Sequence, residues 1–167
     1  MQMRTETHTS RSIQWKEEFE KGESFFDEDV KRFFKLFEES TFEGSRAAAR
    51  KMKKIAKRQT KRKQKWLLFH SFYSLIRSDS EMLSWPCSPL LVMLQFVDPN
   101  VLSGDDALLE EGYPRETLLH HLADLADPFG YSTHENQLIL AKQLIKHGAN
   151  VDAVTRPKSQ TPLYSAC

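Results

Sequence analysis

The sequence predicts an all-α protein, and three observations carry that expectation. Apolar residues from Phe26 to Phe37 recur at helical spacing, and a Lys- and Arg-rich block from Arg46 to Lys65 is built from strong helix formers. A threonine-led motif at Thr117 returns at Thr161, with an apolar helical stripe between the two copies.

Charge divides the chain into unlike parts. Its 167 residues hold 24 Lys+Arg and 23 Asp+Glu, a formal net charge of +1. Residues 46–65 contain eleven of the basic residues and no acid, which leaves a net charge of −10 on the remainder. Such asymmetry points to an interaction surface or tail rather than to a globally basic binder. Forty per cent hydrophobic residues is too apolar for a wholly disordered chain. The longest apolar runs, such as Leu90–Leu94, fall far short of the roughly 18–20 residues that span a bilayer. Met1–Ser12 lacks the apolar core of a secretory signal. Two cysteines, Cys87 and Cys167, are too few for a disulfide framework or a four-thiolate zinc site, so a reducing compartment, cytoplasm or nucleus, is expected.

Residues 1–23 form a polar, partly acidic lead-in that is expected to be disordered. From Ser24 the pattern changes. Seven of the eleven phenylalanines lie between Phe19 and Phe42, and Phe26, Val30, Phe33, Phe34 and Phe37 occupy one helix face. Asp27 or Ser24 can cap this helix, and Asp27, Glu28 and Asp29 suit the positive end of its dipole. The face either packs on neighbouring helices or docks a partner. Gly44-Ser45 then interrupts the pattern, with Ser45 placed to cap a second helix. This is expected to run unbroken to about Arg77, basic in its first half and apolar in its second through Trp66, Phe69, Phe72, Tyr73 and Ile76. Trp85-Pro86-Cys87-Ser88-Pro89 reads as a turn, Leu90–Val97 as a short apolar segment, and Val101–Pro114 as loop.

The C-terminal half carries the most specific signal. Thr117-Leu118-Leu119-His120-His121-Leu122-Ala123 is echoed by Thr161-Pro162-Leu163-Tyr164-Ser165-Ala166-Cys167. Between them lie the stripe Leu140, Ala141, Leu144 and Ile145 and the run Gly148-Ala149-Asn150-Val151-Asp152. Gly148 sits where a helix needs a left-handed C-cap residue, and Asn150 and Asp152 suit the turn that follows. The pattern resembles a degenerate ankyrin repeat, a helix-turn-helix unit of about 33 residues. Here the two copies stand 44 residues apart, and the extra length falls mostly between the helices, around Asp127–Asn136. Leu118 replaces the usual proline and Leu122 the usual small alanine. Asp98-Pro99-Asn100-Val101 resembles the hairpin tip of an earlier, more degenerate repeat. The resemblance implies an organisation of lead-in (1–23), helical segment (24–84) and ankyrin region (85–167), with the last repeat truncated. The chain is accordingly expected to be a fragment of a longer protein, or else the helices before residue 84 supply the missing cap, since each repeat buries its faces only against neighbours.

The resemblance implies non-catalytic protein–protein interaction, as an adaptor or scaffold. By carry-over onto tip positions, partner contacts fall on Asp152, Val154, Arg156 and Lys158, with Tyr131 and His134 of the long insert as further candidates. His120 and His147 occupy consensus positions that are structural in that family. No phosphate loop, serine elbow or His-Glu-x-x-His motif is present, so neither catalysis, cofactor nor metal is expected. The alternative function lies in the basic patch Arg50, Lys51, Lys53, Lys54, Lys57, Arg58, Lys61, Arg62, Lys63 and Lys65. That patch could bind nucleic acid or an anionic membrane surface. It could serve as a bipartite nuclear-import signal, Arg50-Lys51 with Arg62-Lys63-Gln64-Lys65. It could also be captured by a calmodulin-like partner with Trp66 and Phe69 as anchors. A further option is a solvated helix paired with the acidic stretch Glu17–Glu43, which holds ten acids and four bases.

Overall fold

The computed structural model describes residues 27–41, 44–75, 80–103, 115–124, 134–155 and 159–165. The expectations for residues 1–23, and for Ser24 and Phe26, lie outside them. The protein is all-α: most of the described chain is helical, and no strand occurs among the described residues.

Helix α1, Glu28–Glu38, is capped by Asp27, whose carboxylate accepts from the Val30 N–H at 3.0 Å. Its apolar face faces inward, with Val30 and Phe33 fully buried and Phe34 and Phe37 partly so. Helix α2, Ser45–Arg58, begins one residue earlier than a Ser45 cap allows. Gly44 takes the cap position without a side-chain bond and Ser45 is buried inside the first turn. Ala48, Met52 and Ala56 form the narrow buried stripe of α2, which packs on α1.

The single long helix expected from Arg46 to Arg77 is two helices, α2 and α3, Lys61–Leu75. Gln59 turns extended, at φ −75° and ψ 156°. Three side-chain contacts hold the break. Thr60 Oγ1 accepts from the Lys63 N–H at 3.3 Å, as an N-cap does. The Gln64 amide donates to the carbonyls of Ala56 and Gln59, at 3.2 and 3.0 Å. Size supplies the wider reason. A continuous helix over 46–77 would measure about 48 Å, against roughly 40 Å for a globule of this chain length. Breaking at Gln59 leaves α2 on the surface and sends α3 inside.

Helix α3 is the centre of the molecule. Beyond the expected face, Leu67 and Leu68 are also fully buried, so the helix is covered all round from Trp66 to Phe72. Ile76 lies outside the described residues. After the short α4, Ser80–Leu83, the turn at Trp85–Ser88 leads into α5, Pro89–Leu94, with proline at its first position. What the sequence marks only as apolar is a six-residue helix buried against α1, α2 and α3. Cys87 is fully buried. The Ser40 hydroxyl donates to the Phe37 carbonyl at 2.8 Å, which leaves its oxygen to accept from the Cys87 thiol at 3.0 Å.

Helices α6, Leu118–Asp124, α7, His134–Lys146, and α8, Pro162–Ser165, complete the structure. Helix α6 packs on both α7 and α8, and α4 packs on α7. One buried cluster runs from Val30 through Trp66 and Leu90 to Leu144, so the core is continuous across the expected segment boundary at residues 84–85.

Candidate interaction surfaces

The first candidate surface, the basic patch, is sorted by folding. Lys63 is buried and pairs with Asp27. That contact, followed by the Val30 N–H, holds the Asp27 carboxyl below the usual carboxylate range. Lys53 donates to Gln95 Oε1 at 2.8 Å, and the Lys57 ammonium lies 5.9 Å from the Phe96 ring centre. Arg62 and Lys65 are half-buried and engaged in further contacts. Arg50, Lys51, Lys54, Arg58 and Lys61 remain exposed. The two halves of the bipartite pattern therefore sit on different helices, with Lys63 internally engaged. Trp66 and Phe69 are 4% and 2% exposed, so neither is offered as an anchor for a calmodulin-like partner.

The second surface is built by a hydrogen-bonded frame that occurs twice. Asn100 N–H donates to Asp98 Oδ1 at 2.8 Å, as Asp152 N–H does to Asn150 Oδ1 at 3.0 Å. Val101 N–H donates to the Asp98 carbonyl, and Ala153 N–H to the Asn150 carbonyl, both at 3.3 Å. Buried Ser103 and buried Thr155 then make matching pairs of bonds. Their N–H groups donate to the Glu116 and Gln160 carbonyls at 2.7 and 2.8 Å, and their hydroxyls accept from those same residues' N–H groups, both at 3.1 Å. A threonine follows each loop, and the Thr117 and Thr161 carbonyls accept from His121 and Ser165 at 3.1 and 3.0 Å. The two tips also touch. Asn100 donates from Nδ2 to the Gly148 carbonyl at 3.0 Å and accepts the Asn150 N–H on Oδ1 at 2.6 Å.

The pairing of Ser103 with Thr155 was not foreseen. Its signal is a hydroxyl residue five positions after each Asx turn begins, Ser103 after Asp98 and Thr155 after Asn150. Twelve residues separate Ser103 from Glu116 and four separate Thr155 from Gln160, and that difference in spacing hides it.

Helix α7 ends as its residues dictate. Ala149 N–H donates to the Leu144 carbonyl and Gly148 N–H to that of Ile145, each at 3.0 Å, the two bonds of a Schellman cap. Gly148 supplies the required left-handed backbone, φ 92°. Ser159 takes a similar conformation, φ 52°, in the last turn before α8.

Both consensus histidines serve structure. His120 is buried. Its Nδ1 accepts from Thr117, and its Nε2–H donates to the Gln160 carbonyl at 2.9 Å, tying α6 to the final loop. His147 Nδ1–H donates to the Gln143 carbonyl at 2.8 Å. The neighbouring His121 joins α6 to α3: the Tyr73 hydroxyl donates to its Nδ1 at 3.0 Å, and the Phe69 ring meets it edge-on at 5.7 Å. Burial first, then His120, push the His121 imidazole down to about 3. Burial raises the Tyr73 phenol above its ordinary range, with Glu116 and Asp124 adding to the shift. The Glu116 carboxyl group lies 3.6 Å from His121 Nδ1, so the joint packs the buried imidazole beside a phenol and a carboxyl group.

A groove of about 500 Å³ opens between α6, α7 and α8. Leu119, Leu122, Leu138, Ala141, Ile145 and Leu163 line most of it, and Val151 of the second tip closes one end. Leu138 is 55% exposed, Ile145 50% and Leu163 73%. Of the sequence-derived contact residues, Asp152 and Val154 are exposed on the tip beside this groove. His134 opens α7, while Tyr131, Arg156 and Lys158 lie outside the described residues. No described helix is long and apolar enough to cross a membrane, and no described group of His, Cys, Asp and Glu could hold a metal ion.

No protein-family model matches the chain, and no curated protein or solved structure matches it either.

Proposed function

We propose that the chain is a non-catalytic protein-binding module whose C-terminal part is a degenerate ankyrin-type stack. One observation carries the binding reading: the groove between α6, α7 and α8 exposes large aliphatic side chains contiguously, where isolated exposed apolar residues would call for no explanation. The twice-occurring frame supports the repeat reading. Asx turn, hydroxyl-closed loop and threonine-started helix follow in the same order, and Asn100 ties the two tips together. The groove's apolar lining suits an amphipathic helix laid apolar side down, the mode in which anchors recur at i, i+3 or i+4, and i+7.

Panning a display library of helical peptides against the folded chain tests this. Selected peptides should carry an apolar stripe and lose binding to Leu138→Glu/Ile145→Glu by at least about 30-fold, the effect of removing a binding hot spot of roughly 2 kcal/mol. They should bind Arg50→Gln/Lys54→Gln unchanged. Recovery of only acidic peptides that ignore the groove substitutions would remove the basis for the proposal.

A further inference from the structure

A line of cations survives folding on one side of α2, and we propose that it binds the phosphate backbone of double-stranded nucleic acid. At 3.6 residues per turn, Arg46, Arg50, Lys51, Lys54, Lys57 and Arg58 fall within about 140° of one another around the helix axis. All six are exposed. The opposite side, Ala48, Met52 and Ala56, is buried in the core, which fixes the direction in which the charges point. No acid occurs between Arg46 and Lys65, and among the described residues Arg46, Arg50, Lys51, Lys54 and Arg58 form no ion pair. Helix α1, packed alongside, balances the exposed acids Glu28, Asp29 and Glu38 with the exposed bases Lys31, Arg32 and Lys35, so the excess of positive charge belongs to α2.

The chemistry of the stripe selects the ligand. A helix that binds at a bilayer surface inserts its apolar face; the apolar face of α2 is already in the protein core. Single strands are held by stacking on aromatic side chains, yet Trp66 and Phe69 are buried and the stripe itself contains no aromatic residue. Protein–protein hot spots are Trp, Tyr and Arg seated in desolvated pockets; the stripe holds three arginines, all exposed, and no aromatic residue. What it offers is a row of point charges about 18 Å long on a rigid helix, facing a duplex that carries one charge per roughly 1.7 Å of axis. Contacts of that kind position the protein without reading sequence. The proposal is independent of the groove, and either surface can fail alone.

Fluorescence anisotropy of the full chain with a labelled duplex of about 20 base pairs, in a salt series from about 50 to 200 mM, tests it. Neutralising about five phosphates gives a log–log slope near −4.5, roughly a 500-fold loss of affinity over that range. Lys54→Gln/Arg58→Gln should make the slope shallower by about 2, and Lys142→Gln/Lys146→Gln, which removes equal charge from α7, should leave it within about 0.5. Arg50→Gln alone, with a change near 1, stands in should the double variant lose its helical circular dichroism. A slope shallower than about −1 overturns the proposal, as does equal loss in the two double variants. Tighter binding to a single strand of the same length, or to phosphatidylserine-containing vesicles, overturns the choice of duplex.

Discussion

Gly148 shows how much one residue decides. Its φ of 92° is costly for any residue with a Cβ, and a Cβ built there would meet nothing within 4 Å. The constraint is therefore backbone strain alone, with no clash. Gly148→Ala should lower stability by about 1 kcal/mol and Gly148→Val by about 2, since branching adds to the cost of the left-handed conformation. Denaturant titration measures both, and an unmoved midpoint for Gly148→Val would show that α7 does not end in this cap. This feature was legible in the sequence because its cause is local: a glycine directly after an amphipathic stripe. Lys63 was not legible. Within the sequence it is one basic residue among eleven, and only the approach of α1 across 36 positions pairs it with Asp27.

At the scale of elements, the Asp27–Lys63 contact joins a helix cap to an ion pair, and its partners are not equivalent. Asp27 is half exposed, whereas the Lys63 side chain is 11% exposed. Asp27→Ala removes the cap of α1 and strands a buried ammonium; a loss of about 2–3 kcal/mol follows, discounted for the exposure of Asp27. Lys63→Met removes the cation but keeps the stem and the cap, and should cost no more than about 1 kcal/mol. Equal losses in thermal unfolding would mean that the ion pair, which both variants remove, carries the contact and that the cap adds nothing to it. The break at Gln59 belongs to the same scale. Composition alone favours helix through it, but Thr60 and Gln64 satisfy the severed ends, and the interior has room for α3 only in a new direction.

At the scale of the molecule, His121 links the central helix α3 to α6, and its titration reports on that joint. Its folded value of about 3 lies below the ordinary 6.5, so the unfolded chain binds the proton first as pH falls. Stability is full above about pH 6.5 and declines below it, by up to about 1.4 kcal/mol per pH unit until the folded group also titrates. His121→Gln should flatten the decline between pH 6 and 4 seen in thermal midpoints. A wild-type midpoint constant over that interval would place the imidazole in water.

The sequence by itself determined the helical class, the left-handed Gly148 and the split of charge into a basic block and an acidic remainder, and it narrowed the first cap to Asp27 or Ser24. All of these follow from residues within a turn or two of each other, where propensity, periodicity and capping act. Only the tertiary structure decided which cations stay in water, that α5 and α3 occupy the core, and that Ser103 and Thr155 make equivalent bonds to Glu116 and Gln160. Those outcomes depend on which groups lose water when distant segments meet, and burial of that kind is set by the packing of the whole chain.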